Sequence, residues 1–374
     1  MNSSMNMALM KRFLVLVSVL FALVLSGCVQ APNGNDAVAA SRDDGKLKIG
    51  FSMATLKEER WQRDRAEFEK HCKKMGVECV ITVANANAQK QANDVDNLLT
   101  QGVDVLVIAP HDSTQAASMV DKAKTQGVPV ISYDRLINSS KLDLYISHQV
   151  PVIGRKMVEF ALEKVPKGNY VLVYGASTDN NGLILKKEQN AALKAAVDRG
   201  DVKIVADQHA TDWKADEALK IVENALTQNA DDIDAVIASN DGTAGGAISA
   251  LDSKGLAGKV IVTGQDAEKA ALQRIAEGTQ SMTVYKPIVP LAVGAVEAAV
   301  KLAKGEPVET VPFEVDGIEG KIPAILLEVV VVDKDNLIDT VIRDGYATYD
   351  DVYATIPERE RPPRPASGGA GEDQ

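Results

Sequence analysis

The chain has 374 residues, a formal net charge of −11 and only 4% aromatic residues. That length suits about two domains, and the acidic balance argues against nucleic acid as a partner. Aliphatic residues and alanine carry the apolar content, as in a well-packed α/β sheet protein.

The N-terminus reads as an export signal. Lys11 and Arg12 supply positive charge, and residues 13–25 form an apolar run too short for a comfortable membrane span. Leu25-Ser26-Gly27-Cys28 follows directly and resembles a bacterial lipobox, in which cleavage precedes the cysteine and its thiol is lipidated. Residues 1–27 are therefore expected to be a lipoprotein signal peptide, with Cys28 the lipidation site. Residues 28–45, rich in Ala, Asn, Gly and Asp, read as a flexible tether. The folded part is expected to be exported, periplasmic or extracellular, and lipid-anchored at the cell membrane.

From residue 46 short β-rich runs alternate with helical ones. A strand over 47–51 precedes a charged amphipathic helix over 60–75, then a strand over 78–82 and a helix over 89–100. Residues 103–109 are dense in Val, Leu and Ile and read as a strand buried on both faces. A helix over 114–126 and strands over 128–133 and 142–147 follow. The rhythm then restarts, with helices over 150–165, 181–198, 215–227, 242–254, 267–278 and 288–304. Strands over 170–174, 202–206, 235–238, 260–264 and 281–285 lie between them. Residues 322–332 are strand-like, and from Pro357 the composition predicts disorder. One sheet would be too wide for so many strands, so two α/β domains with parallel, doubly wound sheets are inferred.

Cys72 and Cys79 bracket a helix end and a strand start, a placement open either to a short disulfide or to two buried thiols. The four histidines, His71, His111, His148 and His209, form no ligand pattern, so neither metal nor cofactor is expected.

Both tryptophans are flanked by charge, where a strand-like run gives way to a helical one. Two flat apolar faces among charged donors and acceptors describe a sugar site; the alternative is that each indole covers the top of a helix. Polar clusters recur at the same kind of position. They are Arg60-Trp61, Tyr133-Asp134-Arg135, Asp179-Asn180-Asn181, Asp212-Trp213, Ser239-Asn240-Asp241, Gly264-Gln265-Asp266 and Tyr285-Lys286. In open α/β sheets the carboxyl ends of the strands form the ligand crevice. Asp179, Ser239 and Asp241 also suit helix caps. Cations do not, because positive charge is unfavourable at a helix N-terminus, so Arg60, Arg135 and Lys286 stand out.

Several of these segments carry a resemblance. Glu59-Arg60-Trp61-Gln62, residues 102–107, Tyr133-Asp134-Arg135, residues 238–241, residues 243–247, Gly264-Gln265-Asp266 and residues 282–287 closely resemble bacterial D-xylose-binding proteins. Those are sugar-binding components of ABC importers, in the type I periplasmic-binding family. The resemblance spans residues 46–346. It implies two Rossmann-like lobes joined by a three-stranded hinge, with the sugar in the cleft. The lobes are expected over 46–149 plus 287–318 and over 150–286 plus 319–350, with a disordered tail at 351–374. Crossovers are expected near Gln149, near Lys286-Pro287 and near residues 317–321.

By motif, Arg60, Asp134, Arg135, Asn240, Asp266 and Lys286 would hydrogen-bond the sugar, with Asn181 a further candidate. Trp61 and Trp213 would sandwich its ring. Lys186 stands where the family carries Arg, and loses the forked donor geometry. His148-Gln149-Val150 departs from the family's aromatic-Asp-Asn at the first crossover. The resemblance implies a monomeric, non-enzymatic binding protein that captures D-xylose or a related pyranose and delivers it to the permease subunits of an ABC importer. A sugar sensor signalling to a membrane partner, or a binder preferring glucose or another hexose, are the alternatives. A sugar-processing enzyme is disfavoured: Asp134 and Asp266 each have a cation or amide partner by motif, and no phosphate loop, nucleophile elbow or metal set is present.

Overall fold

The structure, a computed structural model, describes residues 45–365. The signal segment, Cys28 and the tether up to residue 44 lie outside the described residues. In chain order the first elements are β1 (Lys48–Met53), α1 (Glu59–Met75), β2 (Glu78–Val83), α2 (Ala88–Thr100), β3 (Val105–Ala109), α3 (Ala117–Thr125), β4 (Val130–Tyr133) and β5 (Leu144–His148). Then come α4 (Val150–Lys164), β6 (Gly168–Tyr174), α5 (Asn180–Asp198), β7 (Val202–His209), α6 (Ala215–Gln228), β8 (Ala235–Ala238), α7 (Asp241–Asp252), β9 (Ile261–Val262), α8 (Lys269–Glu277) and β10 (Met282–Tyr285). The last part holds α9 (Ile288–Ala303), β11 (Val311–Phe313), β12 (Ile322–Leu327), β13 (Val330–Asp333) and α10 (Tyr349–Val352).

These strands build two lobes. One sheet has the order β11-β12-β5-β4-β3-β1-β2, parallel except for the β11–β12 hairpin. The other has the order β7-β6-β8-β9, all parallel. A bridge between Gln265 and Val284 adjoins it to the antiparallel pair β10–β13. Strand alternation explains the cores. Val105, Val107 and Ala109 of β3 enter one apolar cluster, and Leu106 and Ile108 enter the cluster on the other face. Likewise Tyr170, Leu172 and Tyr174 of β6 face one cluster, and Val171 and Val173 face the other.

Three expectations change. The third crossover is not at residues 317–321, which form the turn of the β11–β12 hairpin, with Gly317 and Gly320 at positive φ. The strand-like run 322–332 is two strands in different lobes. β12 pairs with β5, β13 pairs with β10, and the chain crosses between them at Glu328 and Val329. Hydropathy does not mark that break, because both halves are apolar. Finally, residues 351–365 are ordered. Tyr349, Val352 and Tyr353 join a buried cluster with Leu272 and Tyr285, and the Tyr349 hydroxyl donates to the Pro362 carbonyl. These apolar residues supply burial that the Pro- and Arg-rich composition does not suggest.

Cys72 of α1 and Cys79 of β2 form a disulfide, which settles the choice left open above. Double replacement by serine is expected to lower the unfolding free energy by about 2 kcal/mol, the loop-entropy scale for so short a loop. Denaturant unfolding followed by circular dichroism checks this; an unchanged midpoint would contradict it.

Candidate functional site

The carboxyl ends of the parallel strands in both lobes converge on one cavity. Its wall includes Arg60, Trp61, Asp134 and Arg135 from the first lobe. Asn181, Trp213, Asn240 and Asp266 come from the second, and Lys286 from the second crossover. Glu58, Asp179 and Gln265 complete it. The free volume is about 30 Å³, room for about one water. Trp61 and Trp213 are only 2% and 7% exposed. Each also belongs to the core of its own lobe, so the helix-covering and pocket-lining readings both hold.

A buried charge network organises the cavity. The Arg60 guanidinium lies 2.7 Å from Asp134, 3.6 Å from Asp266 and 3.1 Å from Asp64, four residues along α1. Asp64 in turn accepts from the Tyr133 hydroxyl. Lys286 Nζ sits 2.7 Å from Asp266 and 4.0 Å from Asp134. Burial pushes the Asp134 carboxyl up, but Arg60 and Lys286 outweigh it and hold the carboxyl well below the usual range. Burial raises Asp64 against the pull of Arg60. Burial likewise raises Asp179 against Arg135, whose Nε lies 2.9 Å away.

Local backbone aims these groups. Asp134 has φ 58°, Trp213 φ 57° and Asp266 φ 101°, all in the left-handed region. The Asp134 bend is clamped by three donors to its carbonyl: Ser147 Oγ at 2.7 Å, Tyr145 Oη at 3.1 Å and Asn181 Nδ2 at 3.1 Å. The Asp266 carbonyl accepts from Tyr346 Oη at 2.9 Å. Asp179 and Asn240 have two roles each. Asp179 caps α5 through the Asn181 amide and accepts from the Trp213 indole at 3.1 Å. Asn240 caps α7 in a reciprocal box with Thr243 and also lines the cavity.

The cavity concentrates unpaired polar atoms. Among the described residues ten buried side-chain polar atoms lack a hydrogen-bond partner. Five of them line this one cavity: both Arg60 Nη atoms, Asp266 Oδ1, Asn181 Oδ1 and Glu58 Oε2. The ion contacts of Arg60 and Asp266 are close but not aligned as hydrogen bonds. Those three atoms are held by charge, whereas Asn181 Oδ1 and Glu58 Oε2 lack a donor, at roughly 1–3 kcal/mol each, which favours a hydroxylated occupant. The lobes also meet outside the cavity. Glu59 accepts from the Lys269 amide at 2.8 Å, Arg63 donates to the Tyr346 carbonyl at 2.6 Å, and Asn180 donates to the Leu136 carbonyl at 2.9 Å.

Lys186 is not at the site. It lies five residues beyond Asn181, about 140° further round α5. Its ammonium sits 3.3 Å from His209 Nε2 and 4.7 Å from the Tyr174 ring centre. Sequence reasoning did not assign Glu58, Asp179, Gln265 or Asp64 to the site, although Asp179 and Gln265 stand in its strand-end clusters. The signal for Asp64 was its i,i+4 spacing from Arg60 on one helix face. Nothing local marks Glu58, one of several charges in residues 57–65.

Comparison with known proteins fits this geometry. Residues 49–307 match the family described as periplasmic binding protein domain. The chain is 42% identical over 315 residues to the D-xylose-binding periplasmic protein of Haemophilus influenzae, covering 84% of this chain and 95% of that one. It is 44% identical over 301 residues to the protein of the same description from Escherichia coli, covering 80% and 91%. A carbohydrate transporter solute-binding protein from Chloroflexus aurantiacus, solved in complex with D-glucose, superposes with a TM-score of 0.78. It is 30% identical, over 82% of this chain and 98% of that one.

Two outcomes follow from the local geometry. A Cβ on Gly175 would lie 2.1 Å from the Trp213 ring, so Gly175→Ala must change the packing of the indole; its emission wavelength is expected to shift, and an unchanged spectrum would refute the packing. His148 is buried and donates through Nε2 to the Pro287 carbonyl, 3.1 Å away. Burial and then Lys286 push its pKa down to about 3. The unfolded chain, with an ordinary histidine near 6.5, then binds the proton first. Stability attributable to His148 is present at neutral pH and lost as pH falls from 6.5 towards 3. Between pH 7 and 5 the loss amounts to about 2 kcal/mol. His148→Phe is expected to flatten that part of the stability–pH curve by the same amount, measured by denaturant unfolding at each pH.

Proposed function

The chain belongs to the periplasmic binding protein family, and from that premise we propose that it captures D-xylose, or a closely related pyranose, between its lobes and delivers it to the permease of an ABC importer. The observation that carries this reading is the cluster of buried charged and amide groups between two tryptophans, one from each lobe. Trp61 and Trp213 take the two C–H faces of the ring. Arg60, Asp134, Arg135, Asn181, Asn240, Asp266 and Lys286 take its hydroxyls and ring oxygen. With about 30 Å³ free, a sugar enters only when the lobes part and the Arg60, Asp134, Asp266 and Lys286 contacts exchange for sugar hydroxyls. Binding is then coupled to closure, and micromolar affinity needs about −8 kcal/mol. Charge-assisted bonds and two stacked faces supply that scale.

The reading extends to a protein that is exported, anchored by lipid at Cys28, monomeric and without catalytic activity. Among the described residues no helix is long and apolar enough to cross a membrane.

Titration calorimetry with D-xylose tests the site. Asp266→Asn removes the charge that Lys286 and Arg60 share. It is expected to weaken binding at least about 30-fold, about 2 kcal/mol, in a protein still folded by circular dichroism. Wild-type affinity in the variant would sink the assignment. Tryptophan emission unchanged under saturating sugar would sink the sandwich.

A further inference from the structure

Glu58 lines the cavity but is not among the residues assigned above to the hydroxyls and ring oxygen of the sugar. It precedes α1 in the helix-capping position, yet its side chain makes no capping bond. It is 9% exposed, and Oε2 is buried without a hydrogen-bond partner. Its nearest cation, Lys57 Nζ, is 3.8 Å from the other oxygen and itself half exposed. A buried carboxylate oxygen without a donor is costly, and the cost is removed when a ligand supplies the donor.

The carboxylate stands between two cavities. One is the site above. The other has about 50 Å³ and is walled by His111, Thr178, Asp212 and Lys214; Glu58, Arg135 and Trp213 line both. At about 50 Å³ the second cavity suits a short exocyclic group rather than a second ring. An exocyclic hydroxymethyl has that size and ends in a hydroxyl donor, the group that Glu58 lacks.

Resting on the reading of the site as a pyranose pocket, we propose that Glu58 is a specificity residue that accepts the hydroxyl of an exocyclic hydroxymethyl group, so that the site takes hexopyranoses as well as pentopyranoses. The side chain acts by direct contact with the ligand, in the space beside Trp213.

Calorimetry with D-xylose, D-glucose and 6-deoxy-D-glucose on wild type, Glu58→Ala and Glu58→Gln tests this. Wild type is expected to bind D-glucose at least about tenfold more tightly than 6-deoxy-D-glucose, the scale of one hydrogen bond to a charged group. Glu58→Ala is expected to abolish that preference and to weaken D-glucose more than D-xylose, and Glu58→Gln to restore part of the preference. A role that is only structural would change all three sugars by one factor and lower the melting temperature. That result, an unchanged glucose preference in Glu58→Ala, or wild type binding D-xylose but not D-glucose would each overturn the proposal. Wild type binding none of the three sugars would instead overturn the functional reading on which it rests.

Discussion

The buried guanidinium of Arg60 is the constraint on which the rest of the site depends. It lies between Asp64 behind it, Asp134 beside it and Asp266 across the cleft. Such a cation is tolerated in the interior only while its partners remain, and removing one partner of a buried pair commonly costs 3–5 kcal/mol. Asp64 is fully buried and bonded to Tyr133, so it holds Arg60 from within the first lobe whatever the second lobe does. Asp134 and Asp266 face the cleft. They are the partners that a hydroxylated ligand can replace without leaving Arg60 bare.

In the proposed function this arrangement links binding to closure. Helix α1 carries Arg60 and Trp61 into the cavity, and on its neighbouring positions Glu59 and Arg63 reach the second lobe at Lys269 and Tyr346. Tyr346 in turn bonds the carbonyl of Asp266, whose φ of 101° a non-glycine residue rarely adopts. The segment after β13 thus supports the site from outside it. A fold of parallel strands makes this possible, because every strand delivers its following turn to the same edge.

Much of this was legible in the chain. The alternation of short apolar runs with amphipathic ones specified two doubly wound lobes, and cations in helix-start positions singled out Arg60, Arg135 and Lys286. Other features were not. Lys186 reads as a site residue by its place in a motif, but helical rotation turns it towards His209. The run 322–332 reads as one strand, because apolar residues suit both sheets equally and nothing local says where pairing changes lobes. Asp179 reads as a helix cap, which it is, and its second role appears only when Arg135 and Trp213 arrive from elsewhere in the chain.

The sequence by itself determined the fold class and most of the residues at the cavity, because periodicity and strand-end chemistry are local properties of the chain, and its motifs carried the resemblance to the family. Tertiary structure decided which groups face one another. It set Arg60 among three carboxylates, closed the Cys72–Cys79 disulfide, ordered residues 351–365 and left the Glu58 carboxylate buried between two cavities. These are distances between positions far apart in the chain, and only packing assigns them.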